Sequence, residues 1–179
     1  MPGRATIGLY NTYDAVRFHE AHRRAIARAA PLALAFDCNL ATFGFPFDDG
    51  LSTPGDISRW VASTTTIGEG GRYFIELADK GRSSHFDFPK KGFPPQLGLP
   101  AATTRKPDVV KRITVKETRD LLSSGQSILL VFGLGPHGLP RRILQICARH
   151  LDITGRGMSL ETCTAMGAVV GAVLGNERD

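Results

Sequence analysis

The stretch Ser127–Pro140, S-I-L-L-V-F-G-L-G-P-H-G-L-P, decides the fold. An apolar strand, Ile128 to Phe132, runs into Gly133, Gly135 and Gly138, and a helix is expected from about Leu139 to Arg149. Glycine lacks a Cβ, so this backbone is built to approach a ligand. G-x-G-x-x-G between a strand and a helix also spells a dinucleotide-binding turn, with Asp152 near the place of its ribose-binding acid. Three features argue against that reading. The dinucleotide turn follows the first strand of its fold, and here it lies near the C-terminus. Too little chain follows for the remaining strands. Pro136 removes an N–H from the cradle that would hold a pyrophosphate. A purely structural glycine turn is the other alternative.

Working outward, 179 residues at 42% hydrophobic composition predict one domain, residues 1–179, with an ordinary core. No apolar window approaches the ~20 residues of a membrane span. The start Met1-Pro2-Gly3-Arg4 lacks a signal-peptide core, so a soluble cytoplasmic protein is expected. Cys38, Cys147 and Cys163 form no C-x-x-C pair, which speaks against zinc and disulfides and for buried thiols; no metal is expected. A net charge of +5 suits an anionic partner, usually nucleic acid, although many basic proteins bind none.

Strands are expected at Arg4–Asn11, Leu32–Cys38, Arg72–Ala78, Gln96–Thr104, Ile128–Phe132 and Leu151–Thr154. Helices are expected at Tyr13–Ala30, Asp56–Thr66, Thr114–Ser124, Leu139–Arg149 and Ser159–Leu174. Thr12 or Asn11 is the expected cap of the first helix, and Pro31 its end. Thr114 and Glu117 spell a capping box, closed by Gly125. Residues 79–95, rich in Gly, Pro and basic side chains, read as an irregular insert. Alternating strands and helices imply an α/β fold with a largely parallel sheet.

The pair Leu130–Pro140 and Leu151–Ala168 (L-D-I-T-G-R-G-M-S-L-E-T-C-T-A-M-G-A) resembles the last two motifs of the SPOUT superfamily. Gly138-Leu139, and Ser159-Leu160 followed by Ala165, carry the match. His22-Arg23-Arg24-Ala25-Ile26-Ala27-Arg28-Ala29 is similar to that family's first helix in its ribose 2′-O branch, with Arg28 kept and His22 in place of Asn. Leu99–Arg105 is similar to its first knot-loop strand. The chain is closest to the archaeal members of unknown function. The resemblance implies a parallel-sheet fold with a deep C-terminal trefoil knot, S-adenosylmethionine (SAM) as cofactor, tRNA or rRNA as partner, and a homodimer. The first and last helices would form its interface. Small residues along Ala165–Ala172 suit a threaded helix, or merely pack a buried one.

The function implied is a SAM-dependent RNA methyltransferase, with the ribose 2′ oxygen as one candidate acceptor. A SPOUT-fold protein binding SAM or RNA without catalysis, or an NAD-dependent oxidoreductase, are the alternatives. Backbone around Thr103, Gly133, Leu134, Gly135, His137, Gly138, Leu139, Ile153, Thr154, Gly155, Gly157, Ser159, Leu160 and Thr164 would hold the cofactor. Arg28 would handle acceptor phosphate or ribose, or be a solvated helix charge. His137 and Glu161 are candidate proton handlers, and Glu161 could instead cap the last helix. Lys80, Arg82, Lys90, Lys91, Arg105 and Lys106 would meet RNA phosphates, or be a solvated basic surface. Two departures weaken the 2′-O reading: Gly135 stands where that branch has Glu, and Glu161 where it has Asn.

Overall fold

The computed structural model describes residues 1–64 and 69–176. Six strands, all parallel, form one sheet in the order β3-β2-β1-β5-β4-β6. They are β1 (Ala5–Asn11), β2 (Asn39–Phe43), β3 (Ser83–Phe86), β4 (Leu99–Thr103), β5 (Ile128–Leu134) and β6 (Arg149–Leu151). The helices are α1 (Glu20–Ala35), α2 (Pro54–Thr64), α3 (Glu69–Asp79), α4 (Val115–Ser123), α5 (Arg141–Ile146) and α6 (Thr162–Leu174). The expected end of the second helix at Thr66 lies outside the described residues.

The sheet is covered on both faces, which is why β1 and β5 are almost wholly apolar. Ile7, Leu9, Leu40, Ile128, Leu130 and Phe132 pack under α1, α2, α3 and α6. Ala41, Phe43, Leu129 and Val131 pack under α5 and under Phe88, Phe93 and Leu97. Residues 79–95 are therefore not a free excursion. They supply β3 at the sheet's edge and an aromatic lid on its second face.

Three expectations fail in the first half of the chain. The first helix starts at Glu20, not Tyr13, because a polar network orders residues 12–19 as a loop. It then runs through Pro31 to Ala35, where a strand was expected. An interior proline costs about 3 kcal/mol. Here Ala25, Ile26, Ala29, Ala30 and Ala33, all essentially inaccessible, press the helix onto the sheet and offset that cost. The true stop is Asp37, at φ 51°. Around it Cys38 N–H donates to Ala33 O and Asp37 N–H to Leu34 O, a Schellman closure.

Residues Arg72–Ala78 are helix, not strand. Phe74 and Leu77 fall on one buried helical face, and Glu76 pairs with Lys80 one turn on at 2.7 Å. Gly81, at φ 67°, ends it with the same closure. In the second half, α4 keeps its capping box, with Glu117 N–H donating to Thr114 Oγ1 at 3.1 Å and Thr114 N–H to Glu117 Oε2 at 2.7 Å. The helix after the glycines is only six residues long, and β6 begins two residues earlier than expected.

Candidate functional site

The chain winds outward from β1 to β3 on one side of the sheet and occupies β5, β4 and β6 on the other. Ligands of open parallel sheets gather at such a switch point, beyond the strands' carboxyl ends. There the three hydroxyls of Thr103, Thr162 and Thr12 donate to three carbonyls of β5. Thr103 reaches Val131 O at 2.8 Å, Thr162 reaches Gly133 O at 2.8 Å, and Thr12 bonds Leu134 O. The glycines serve this corner sterically. A Cβ on Gly133 would stand 2.8 Å from Gly138 C, because the loop folds back on its own strand. Gly135 sits at φ +135°, a conformation open only to glycine, with Thr12 against it.

A cavity of about 860 Å³ opens over this corner, within the usual size range of small-molecule sites. Its walls are the loops after β4, β5 and β6 and the first turns of α1. Of the residues nominated from sequence, Thr103, Gly133, Leu134, Gly135, His137, Gly138 and Leu139 line it. So do Ile153, Ser159, Leu160 and Glu161. Among the described residues the backbone N–H groups of His137 and Leu139 have no protein partner.

The structure places the other nominated residues outside this wall. Thr154, Gly155 and Gly157 shape the loop before α6. Asp152 accepts from Thr154 N–H at 3.1 Å, Thr154 Oγ1 at 2.9 Å and Gly157 N–H at 3.0 Å, and both glycines have positive φ. Asp152 is thus engaged in a turn, away from the ribose role of the dinucleotide alternative. Thr164 donates its N–H to Glu161 at 3.1 Å. Arg28 is exposed, and Arg24, one turn earlier on α1, lines the cavity instead.

Tyr13, Arg24 and the Arg105-Lys106 pair are cavity residues the sequence reading did not assign there. Tyr13 was hidden by the misplaced helix start. Arg24 lay inside the first-helix motif without a role, and Arg105 and Lys106 were expected to meet RNA phosphates rather than to line the cavity.

Glu161 caps α6. Partial burial pushes its carboxyl up, but backbone N–H groups of Cys163 and Thr164 outweigh this and hold it below the usual range. Burial and the nearby Glu161 raise the Cys163 thiol to about 11, against the pull of Arg28 and Arg24, so it stays protonated at neutral pH. His22, at the position where the resemblance has Asn, is fully buried. Its Nδ1 accepts from His19 N–H at 2.9 Å, so Nε2 carries the proton and donates to Asn11 Oδ1 and Asp14 O, each at 3.1 Å. Burial holds its pKa down. His22 braces the loop 12–19 and does not line the cavity.

β6 is bonded along both edges. On one side Thr103 pairs with Leu151 and Ala101 with Arg149. On the other, His150 N–H donates to Lys111 O at 2.8 Å and Ile113 N–H to His150 O at 2.9 Å. β4 and residues 111–113 are the two ends of one connection, so the last strand lies between them. Lys111 Nζ fastens it, donating to Gln145 O and Cys147 O at 2.5 and 2.9 Å. Of the basic insert, Lys80 and Arg82 are taken up internally, by Glu76 and by Asp37 and Cys38 O. Lys90, Lys91, Arg105 and Lys106 are exposed. Among the described residues no cluster of metal-ligand type occurs, and no helix is long and apolar enough to cross a membrane.

This parallel sheet with its glycine corner defines the class: the fold is that of the SPOUT methyltransferases, as the sequence resemblance led one to expect. A probable methyltransferase from Bordetella pertussis Tohama I superposes with a TM-score of 0.66 at 15% identity, over 96% of this chain and 94% of its own. The AdoMet-bound rRNA methyltransferase from Sinorhizobium meliloti superposes with a TM-score of 0.53 at 14% identity, over 97% of this chain and 56% of its own. The chain belongs to the family described as protein of unknown function DUF531, whose model matches residues 5–174. It is 47% identical over 168 residues to the uncharacterized protein MJ0224 of Methanocaldococcus jannaschii, covering 93% of this chain and 90% of that protein.

Proposed function

We propose that this protein is a SAM-dependent methyltransferase acting on RNA. The observation that carries the proposal is the cavity over the glycine corner, walled by the same three loops that the SPOUT resemblance assigns to the cofactor. The donor set fits such a ligand: glycine backbone free of Cβ atoms, unpaired N–H groups at His137 and Leu139, and apolar Ile153 and Leu160. SAM, when bound, supplies a methyl already activated on a sulfonium.

The chain's own task is alignment and exclusion of water, which can supply several kcal/mol. Thr103, Thr12 and Thr162 fix the corner's shape. Arg24 takes the acceptor-phosphate role that the sequence suggests for Arg28, with Arg28 extending the basic face behind it. Glu161 serves first as the cap that sets the start of α6 at the cavity wall, and its depressed pKa makes it a weak proton acceptor. We also propose the trefoil knot and the homodimer. The knot is supported by β6 lying between the two ends of one loop. The dimer rests on the resemblance alone, with α1 and α6 as its interface, and light scattering of the purified protein tests it.

The experiment is calorimetry with SAM and with NAD, followed by transfer of labelled methyl from SAM into total cellular RNA. Saturable SAM binding and RNA labelling are expected. SAM binding without labelling would leave a binding protein; NAD binding without SAM would overturn the reading. Digestion of labelled RNA to nucleosides then tells ribose 2′-O methylation from base methylation.

A further inference from the structure

Seven large apolar side chains stand exposed among the described residues, and three of them, Tyr13, Met158 and Leu160, line the same cavity. Tyr13 is 56% exposed and Met158 62%, so both stand at its open rim. Neither is loosely held. Tyr13 N–H donates to Asn11 Oδ1 at 3.0 Å, and its ring meets His19 and His22 edge-on at 5.5 and 5.8 Å. Met158 N–H donates to Thr154 Oγ1 at 3.3 Å. The exposed ring is thus anchored by a buried polar network beneath it.

The same cavity is lined by Arg24, Arg105 and Lys106, none of which takes part in an ion pair among the described residues. The two carboxylates in its wall, Asp152 and Glu161, are already engaged by backbone N–H groups. The rim therefore combines one flat aromatic face, apolar side chains and cations that form no ion pair among the described residues. A neutral metabolite has no use for the cations, and a protein surface rarely sets a flat group between two regularly spaced anions. A nucleotide with its base out of the helical stack uses both.

We infer that the rim is a clamp for an unpaired RNA nucleotide, with its base stacked on Tyr13 and its flanking phosphates held by Arg24, Arg105 and Lys106. The inference rests on the methyl-transfer reading of the cavity and narrows its substrate to loops, bulges or ends rather than duplex. Met158 supplies further apolar surface around the base.

The test titrates the full-length protein with a short unstructured RNA of mixed sequence and with a duplex of the same sequence, and measures SAM affinity in parallel. Tyr13→Ala, and Tyr13→Leu which keeps bulk without a ring, are expected to weaken single-strand binding about 5- to 150-fold, as loss of one stacked base does. Tyr13→Phe is expected to bind like the parent. Duplex binding stays unchanged in all three, and single-strand affinity falls several-fold further than SAM affinity in Tyr13→Ala and Tyr13→Leu. Joint Arg105→Ala and Lys106→Ala substitution lowers the salt dependence of RNA binding, by about 0.7 for each phosphate no longer neutralised, while the Tyr13 variants leave it unaltered. The clamp is overturned if Tyr13→Ala and Tyr13→Leu bind RNA like the parent, if duplex binds as well as single strand, or if the parent binds no RNA. It is also overturned if only SAM affinity falls. A parent that binds no SAM but shows the expected Tyr13 dependence keeps the clamp and removes the methyl-transfer reading, so the two fail separately.

Discussion

Two loops meet at the cavity, where Thr12 abuts Gly135, and they are built from opposite materials. The loop 133–140 is ordered by backbone: glycines that allow it to fold back, and threonine hydroxyls that brace the carbonyls of β5. The loop 12–19 holds no glycine and is ordered by side chains. Asn11 alone donates to Asp14 O at 2.7 Å and Gly44 O at 2.9 Å and accepts from Tyr13 N–H and His22 Nε2. Asp14 then accepts from Val16 and Arg17 N–H at 2.8 and 2.9 Å and pairs with His19 at 2.8 Å. One wall is set by what glycine omits, the other by what a buried amide and imidazole supply. The first should respond to added volume and the second to lost hydrogen bonds and to acid.

The largest effect is expected on the side-chain wall. Asn11 is 4% exposed, and Asn11→Leu would keep its bulk while removing four hydrogen bonds, which leaves Gly44 O and Tyr13 N–H without a partner and His22 Nε2 and Asp14 O with each other. An orphaned buried polar group costs about 1–3 kcal/mol, and some of these partners can turn to water. A loss of about 3–4 kcal/mol on denaturant unfolding is expected, with a weaker grip on Tyr13 and on RNA. Next comes the backbone wall. Gly133→Ala would set a Cβ 2.8 Å from Gly138 C, and backbone cannot swing aside as a side chain can. Overpacking of this kind costs about 1–3 kcal/mol. Here SAM affinity should fall further than stability does. If Gly133→Ala bound SAM like the parent while Asn11→Leu did not, the assignment of cofactor to the glycine wall would be reversed.

The contrast also explains which parts of the site were legible in the sequence. Glycine spacing is local: Gly133, Gly135 and Gly138 mark a turn whatever lies around them. The capping box at Thr114 and the stretch after Ser159 are equally local, and the second half of the chain was read nearly in register. The side-chain wall depends on residues brought together by the sheet, such as Asn11 with Gly44, which no short window reveals. The same limit misplaced α1 and α3. Pro31 signals an end only where packing does not outweigh it. The Tyr-Phe-Ile run at 73–75 favours a strand only until Phe74 and Leu77 find a common buried face. Arg24 and Arg28 lie one turn apart; the resemblance singles out Arg28, and only the packing of α1 shows that Arg24 lines the cavity.

Acid gives a sharper separation of the two walls, with a smaller effect. The Arg17 and Val16 N–H groups, and His19, hold the Asp14 carboxyl well below its ordinary 3.8. Burial holds His22 below its ordinary 6.5. Both folded values lie under the unfolded ones, so each group contributes stability that is present at neutral pH and lost as pH falls. His22 gives way first, below about 6.5, and Asp14 only below its carboxylate range. The threonine hydroxyls bracing β5 do not titrate. Amide shifts of Tyr13, Val16 and Arg17 in an NMR acid titration should therefore move before those of Gly133 and Leu134. Simultaneous movement of both sets would mean that the walls are one unit coupled through Thr12.

The smallest expected effect lies beside the glycine wall, at the start of α6, where Thr162 bonds Gly133 O. Glu161 lines the cavity but spends its carboxylate on Thr164, at 3.1 Å to the backbone N–H and 3.3 Å to the hydroxyl. As a cap, its loss in Glu161→Ala should cost about 1 kcal/mol of stability. Glu161→Gln keeps an oxygen to accept the Thr164 N–H and removes the charge. A cap alone predicts that Glu161→Gln transfers methyl within a few-fold of the parent and with the same pH profile. A proton acceptor predicts a large loss of rate in both variants and a changed pH profile in Glu161→Gln. Because hydrogen bonds already hold this carboxylate below its usual pKa, the small effect is the expected one. The proton of the acceptor must then leave to another group in the cavity or to water.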